Sequence, residues 1–147
     1  MQRRSFVLYA LIAAVCAVFA PTPASAAPQI GANPSGNYEL RKEDGSAIKD
    51  GVKIGAEITQ LGTDIWSVVP WIEDEDGDRT PLPGEQGTLS RIGYPWDNMW
   101  VYENLRGNIG AFVWNTEAGQ FESEMLTGPN AGTKRIFKPL PPPPSDG

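Results

Sequence analysis

Between Val52 and Trp71 the chain alternates apolar and polar residues with a period of two on the near side of a turn, and this limits the fold more than any other feature. Val52, Ile54, Ala56 and Ile58 fall on one face of an extended strand, while Lys53, Glu57 and Thr59 fall on the other. Leu61-Gly62-Thr63-Asp64 then lets the chain reverse. The pattern predicts a β-hairpin. Its second arm, Ile65 to Ile72, is apolar on both faces: Trp66, Val68 and Ile72 on one, Ile65, Val69 and Trp71 on the other. Such an arm is either central in a sheet or has a second face that lines a cavity or a partner surface. Pro70 has no N–H to give to a ladder, so the strand must bend, bulge or lie at an edge there.

No stretch beyond the first 26 residues has a helical period, and glycines recur at turn spacing. Short alternating segments are read at 37–41, 88–92, 99–105, 109–115, 120–126 and 133–138. Asp44-Gly45, Arg106-Gly107-Asn108 and Thr116-Glu117-Ala118-Gly119 supply turns between them, and Thr80 to Gly87 reads as an irregular loop. About eight strands in sequential hairpins predict an all-β fold, a single antiparallel meander closed into a small β-barrel, with a β-sandwich as the alternative. Closure removes exposed strand edges. The barrel domain is expected over 36–138, after a flexible segment at 27–35. A proline-rich tail at 139–147 is expected to remain outside the sheet.

Residues 1–26 have the parts of an export signal: Arg3 and Arg4, an apolar run from Phe6 to Ala20, and the small-residue site Ala24-Ser25-Ala26. The run is shorter than the roughly 20 residues that span a bilayer, so cleavage and an exported, periplasmic or extracellular location are expected. The paired arginines leave twin-arginine and ordinary export both open. Cleavage would remove Cys16, the chain's one cysteine, leaving neither a disulfide nor a thiol nucleophile. It would also leave 10 Lys+Arg against 18 Asp+Glu, a net charge of −8. An acidic chain of this kind has no clustered basic surface for nucleic acid or an anionic membrane, and neither is expected as a partner.

There is no histidine. Ser-His-Asp and Cys-His catalysis and the usual zinc sites are therefore ruled out, and no phosphate-cradling glycine motif is present, so no cofactor is expected. The acidic run Glu73-Asp74-Glu75-Asp76-Gly77-Asp78 invites a calcium-loop reading. With Gly77 at the glycine position, however, Ile72 and Pro83 fall where the first and closing ligands belong. The run reads as a solvated Asp-Gly turn, and no metal site is expected. Paired carboxylates, Asp97 with Glu103 or Glu122 with Glu124, leave a carboxylate-dependent hydrolase as a minor alternative to a non-enzyme.

Thr59-Gln60-Leu61-Gly62-Thr63 in an early hairpin and Gly119-Gln120-Phe121 in a late one, within a chain of about eight strands, resemble the calycin-like barrels, the broad group of lipocalins and avidins. The Gly-x-Trp start of lipocalins is absent, Gly36-Asn37-Tyr38 standing nearest to it. The resemblance implies a barrel and assigns no binding residue.

Five tryptophans, Trp66, Trp71, Trp96, Trp100 and Trp114, carry most of the remaining information. An indole suits a core as well as a sugar, peptide or apolar ligand. Trp66, Trp100 and Trp114 lie in strands and suit packing. Tyr94 and Trp96 flank Pro95 in a turn, where aromatics more often serve recognition. The function expected is a small exported binding or interaction module, either a carrier of an apolar small molecule or an inhibitor of an extracytoplasmic enzyme. Its expected contact residues are Tyr94, Trp96 and Trp100, with Trp71 beside them. A structural envelope component acting through the proline-rich tail is the alternative. Whether the barrel is filled or hollow decides between surface recognition and a small ligand.

Overall fold

The computed structural model describes residues 33–93 and 95–141. The expected export signal at 1–26, residues 27–32 of the expected flexible segment, Tyr94 and residues 142–147 of the tail therefore lie outside the described residues. Nine strands are found among those described: β1 (Gly36–Lys42), β2 (Lys53–Gly62), β3 (Ile65–Glu73), β4 (Arg79–Pro81), β5 (Gly87–Gly93), β6 (Trp96–Asn104), β7 (Ile109–Asn115), β8 (Gln120–Met125) and β9 (Lys134–Pro139). Every pairing is antiparallel. Strands β1, β2, β3, β5, β6, β7, β8 and β9 pair in that order, and β9 returns to β1 through Leu40 opposite Phe137. The meander is thus a closed eight-stranded barrel rather than a sandwich, with β4 as one extra strand.

The opening hairpin holds the key to the wall. Residues Ile65 to Val68 of β3 pair with β5, whereas Trp71 to Glu73 pair with β4. Pro70 lies between these two sets, and its carbonyl accepts a hydrogen bond from the Leu82 N–H at 2.7 Å. A residue without a donor suits the point where a strand changes partner. The segment at 80–87, expected as an irregular loop, therefore contains most of β4 and a single 3-10 turn at Pro83–Glu85. Its three exposed strand residues, one of them proline, leave no alternation to read.

Register decides which residues face inward. Tyr38, Ala56, Ile58, Trp66, Val68, Leu89, Trp100, Phe112, Phe121 and Phe137 form one buried cluster inside the barrel. A second, smaller cluster lies on the outer face, where Met99 and Val113 are wholly covered by Ile92, Trp96, Val101 and Leu126. Both faces of the β6–β7 pair are consequently buried in part, as the alternating apolar residues of Ile109–Asn115 require.

The barrel has two unlike ends. One carries short reversals: Thr63-Asp64, the β5–β6 connection, and the turn at 116–119, where Asn115 accepts from the N–H groups of Ala118 (3.0 Å) and Gly119 (2.8 Å). The other carries the long connections at 43–52, 74–86 and 126–133 together with the short turn at 105–108. Asn33 to Ser35, expected to lead flexibly into the domain, instead seals the short-turn end. Pro34 is fully buried, Asn33 Oδ1 accepts from Trp66 Nε1 at 2.9 Å, and the Pro34 carbonyl accepts from the Tyr38 hydroxyl at 2.6 Å. At the other terminus β9 runs one residue into the proline-rich segment: Pro139 lies opposite Tyr38, and the Leu140 N–H donates to the Asn37 carbonyl at 2.9 Å.

Candidate functional site

At the short-turn end the interior is filled by rings. Phe121 stacks on Phe112 with centroids 4.4 Å apart and meets Trp114 (4.7 Å), Trp100 (5.3 Å) and Tyr38 (5.6 Å) edge to face. Arg91 lies over the Trp66 and Trp100 rings at 5.5 Å and is held by Asp64 at 3.1 Å. Burial pushes the Tyr38 phenol up to about 12, because its anion would lose hydration inside the plug. The Trp100 indole N–H finds no acceptor among the described residues.

Toward the long-loop end the inward residues become small. Gly110 and Ser123 on the paired strands β7 and β8, and Ala56 on β2, occupy inward positions, and a cavity of about 140 Å³ opens between them. Leu40, Val68, Pro70, Phe112, Met125 and Phe137 form its apolar wall, and Tyr102, Ser123, Thr133 and Arg135 add polar groups. A single barrel is thus filled at one end and hollow at the other.

Two close approaches shape this end. A side chain at Gly87 would collide with the Tyr102 ring, so glycine there lets the ring lie across β5. The Tyr102 hydroxyl then donates to the Glu85 carbonyl at 3.4 Å, tying β6 to the 3-10 turn. Burial, and next the Glu85 carboxylate, raise the Tyr102 phenol above its ordinary value. Outside the cavity mouth, an open depression of about 380 Å³ is lined by Lys42, Glu43, Asp44, Gly132, Lys134 and Arg135. Arg135 is shared by the depression and the cavity. The depression's acids are already engaged: Glu43 bridges Lys134 at 3.6 Å, and Asp44 accepts from the Ser46 hydroxyl (2.6 Å) and N–H (2.9 Å), bonds that hold its carboxyl below the usual range.

Of the residues expected to form a contact surface, Trp71, Trp96 and Trp100 are not brought together. Trp100 is 1% exposed and belongs to the plug. Trp96 packs on the outer face against Met99 and Val113. Trp71 lies on the outer face near the opposite end, 4% exposed, over Gly55, where any side chain would collide with its ring. Arg79 of β4 covers that ring at 4.1 Å, and Asn37 Oδ1 accepts its N–H at 3.1 Å. The doubly apolar arm of the opening hairpin is thereby explained in part: Trp66 and Val68 lie inside the barrel and Trp71 lies under Arg79 on the outer face, while Ile65 and Ile72 are exposed. Tyr94 lies outside the described residues.

The acidic run is a turn in which Asp74 accepts from the N–H groups of Asp76 and Asp78, both at 2.9 Å, while Glu73 pairs with Arg79 (3.1 Å) and Lys53 (3.6 Å). No group of three or more potential metal ligands occurs among the described residues. Asp97 and Glu103 stand six residues apart on one strand, roughly 20 Å at about 3.3 Å per residue, too far to flank one bond. Glu122 faces outward and accepts from the amides of Asn115 and Gln120, both at 3.1 Å.

Comparison with known proteins adds no identity: no family model matches the chain, and no match is found among curated proteins or solved structures. The geometry of the hollow end therefore stands as the main guide to function.

Proposed function

We propose that this chain is a small exported binding protein whose barrel takes up a small apolar molecule at its long-loop end. One observation carries the reading: aromatic rings fill one half of the interior, while small residues on β2, β7 and β8 leave about 140 Å³ in the other. Core packing that served stability alone would close such a space, since interiors pack to crystal-like density. An apolar cavity of about 150 Å³ is large enough for a benzene-sized guest. The export part of the proposal rests on residues 1–26 and calls for a mature chain beginning at Ala27.

Titration of the isotopically labelled protein with benzene tests the binding part. Resonances of residues around Leu40, Ala56, Val68 and Phe112 should shift, and Ser123→Leu, which places a larger side chain in the cavity, should abolish the shifts. A spectrum unchanged by benzene would overturn the reading.

A further inference from the structure

The barrel directs two arginines inward, one at each end, and they differ in what they meet. Arg91 is paired with Asp64 at 3.1 Å and rests over two indoles. Arg135 occupies an inward-facing position on β9, opposite Ser123 on one side and Lys42 on the other. Its hydrogen bond among the described residues goes from Nη1 to the Lys134 carbonyl at 2.9 Å, and no carboxylate there lies within ion-pair distance of it. A guanidinium carries five donors. Most of its donor set thus has no protein acceptor among the described residues at the point where the cavity meets the outer depression.

Three cations, Lys42, Lys134 and Arg135, meet two carboxylates, Glu43 and Asp44, around that point. The protein carries a formal net charge of −6, yet Lys42 and Arg135 face each other across the β1–β9 pair at the mouth, with Lys134 beside them. Glu43 bridges Lys134, and Asp44 is bonded to Ser46. Glu124 also borders the cavity, but its place opposite Ala111 and Lys134 puts it in the outward-facing set of β8. Arg135 is therefore the inward-facing charge on the cavity wall.

We propose that the ligand of the hollow end is a small organic carboxylate, its apolar body inside the barrel and its carboxylate held by Arg135 with Lys42 opposite. This rests on the binding reading above and specifies its ligand class. The planar fork of a guanidinium matches the two oxygens of a carboxylate, and partial burial strengthens such a pair relative to one in open water. The cavity limits the body to about the size of a phenyl ring or a short alkyl chain.

Calorimetric titration of the full chain with hexanoate, 1-hexanol and hexylammonium separates the two claims, because the three share a six-carbon skeleton and differ in head group. Hexanoate should bind at least tenfold more tightly than hexanol, and hexylammonium more weakly than either. Arg135→Gln should abolish the preference for hexanoate and leave hexanol binding unchanged. Arg135→Lys, which keeps the charge and loses the fork, should retain part of the preference and provides a second reading should the glutamine variant fold poorly. Hexanol binding without any preference for hexanoate would overturn the carboxylate assignment while leaving the binding reading intact. A preference that survived intact in both Arg135 variants would overturn the role of Arg135. Failure of all three to bind, together with benzene, would remove both claims.

Discussion

The two ends of this barrel are built from the same strands and do opposite things. At the short-turn end Tyr38, Trp66, Trp100, Trp114, Phe112 and Phe121 interlock, Pro34 and Asn33 seal the opening, and the inward arginine is neutralised by Asp64. Two residues along β7 and β8 the rings of Phe112 and Phe121 give way to Gly110 and Ser123, Ala56 lines the space from β2, and the inward arginine has no acid partner among the described residues. The contrast teaches that stability and recognition can be divided along one barrel axis. The plug supplies the buried aromatic area that a small disulfide-free domain needs, and the hollow half is then free to stay underpacked.

That division can be broken most forcefully at Phe121, which touches four rings of the plug. Phe121→Ala should cost about 3–5 kcal/mol, as large aromatic deletions in cores do, and denaturant unfolding would measure it. Asn33→Ala should cost about 1–3 kcal/mol by leaving the buried Trp66 N–H without its acceptor, with an accompanying change in tryptophan emission. A cost near zero would mean that residues 33–35 do not seal the plug.

Alkaline pH sharpens the comparison through the buried tyrosine. The folded-state value of Tyr38, about 12, lies above the ordinary phenol value of about 10, so the folded state holds the proton more tightly. The stability contributed is complete below pH 10 and is lost as the pH rises from about 10 through about 12. Melting temperatures measured across that interval should fall less steeply for Tyr38→Phe than for the parent chain. The smallest effect belongs to the hollow end. Ser123→Leu should change stability by no more than about 1 kcal/mol, because the added side chain enters existing space. A loss comparable to that of Phe121→Ala would show that the cavity end is packed as tightly as the plug.

Much of the architecture was legible in the chain. Alternation from Val52 to Ile58 and the apolar second arm marked the opening hairpin, and the turn residues at 116–119 marked a later one. The need to cover strand edges favoured closure over a sandwich, and Pro70 signalled an irregularity in β3, which changes partner there. Strand β4 was hidden because three exposed residues among prolines carry no period.

The site was far less legible, and for a physical reason. Thr133 to Lys138 places Lys134, Ile136 and Lys138 on one face and Arg135 and Phe137 on the other, so both faces carry a cation and an apolar residue. Nothing local says which turns inward, and only closure of β9 onto β1 decides it. Tryptophans drew attention because they are large, yet the cavity is made by what is small. Ala56, Gly110 and Ser123 at inward positions on their strands were the available signal. Trp71 shows the converse, since its burial depends on Gly55 opposite it in the opening hairpin and on Arg79 of β4, a strand that carries no period of its own.

The central claim, a barrel plugged at one end and hollow at the other, is tested most directly by a crystal structure of the protein pressurised with xenon. A dry apolar cavity of about this size takes up xenon. The expected result is one xenon peak between Leu40, Val68, Phe112 and Met125, with none among the rings around Phe121. Xenon absent from that space, or bound within the plug instead, would contradict the account.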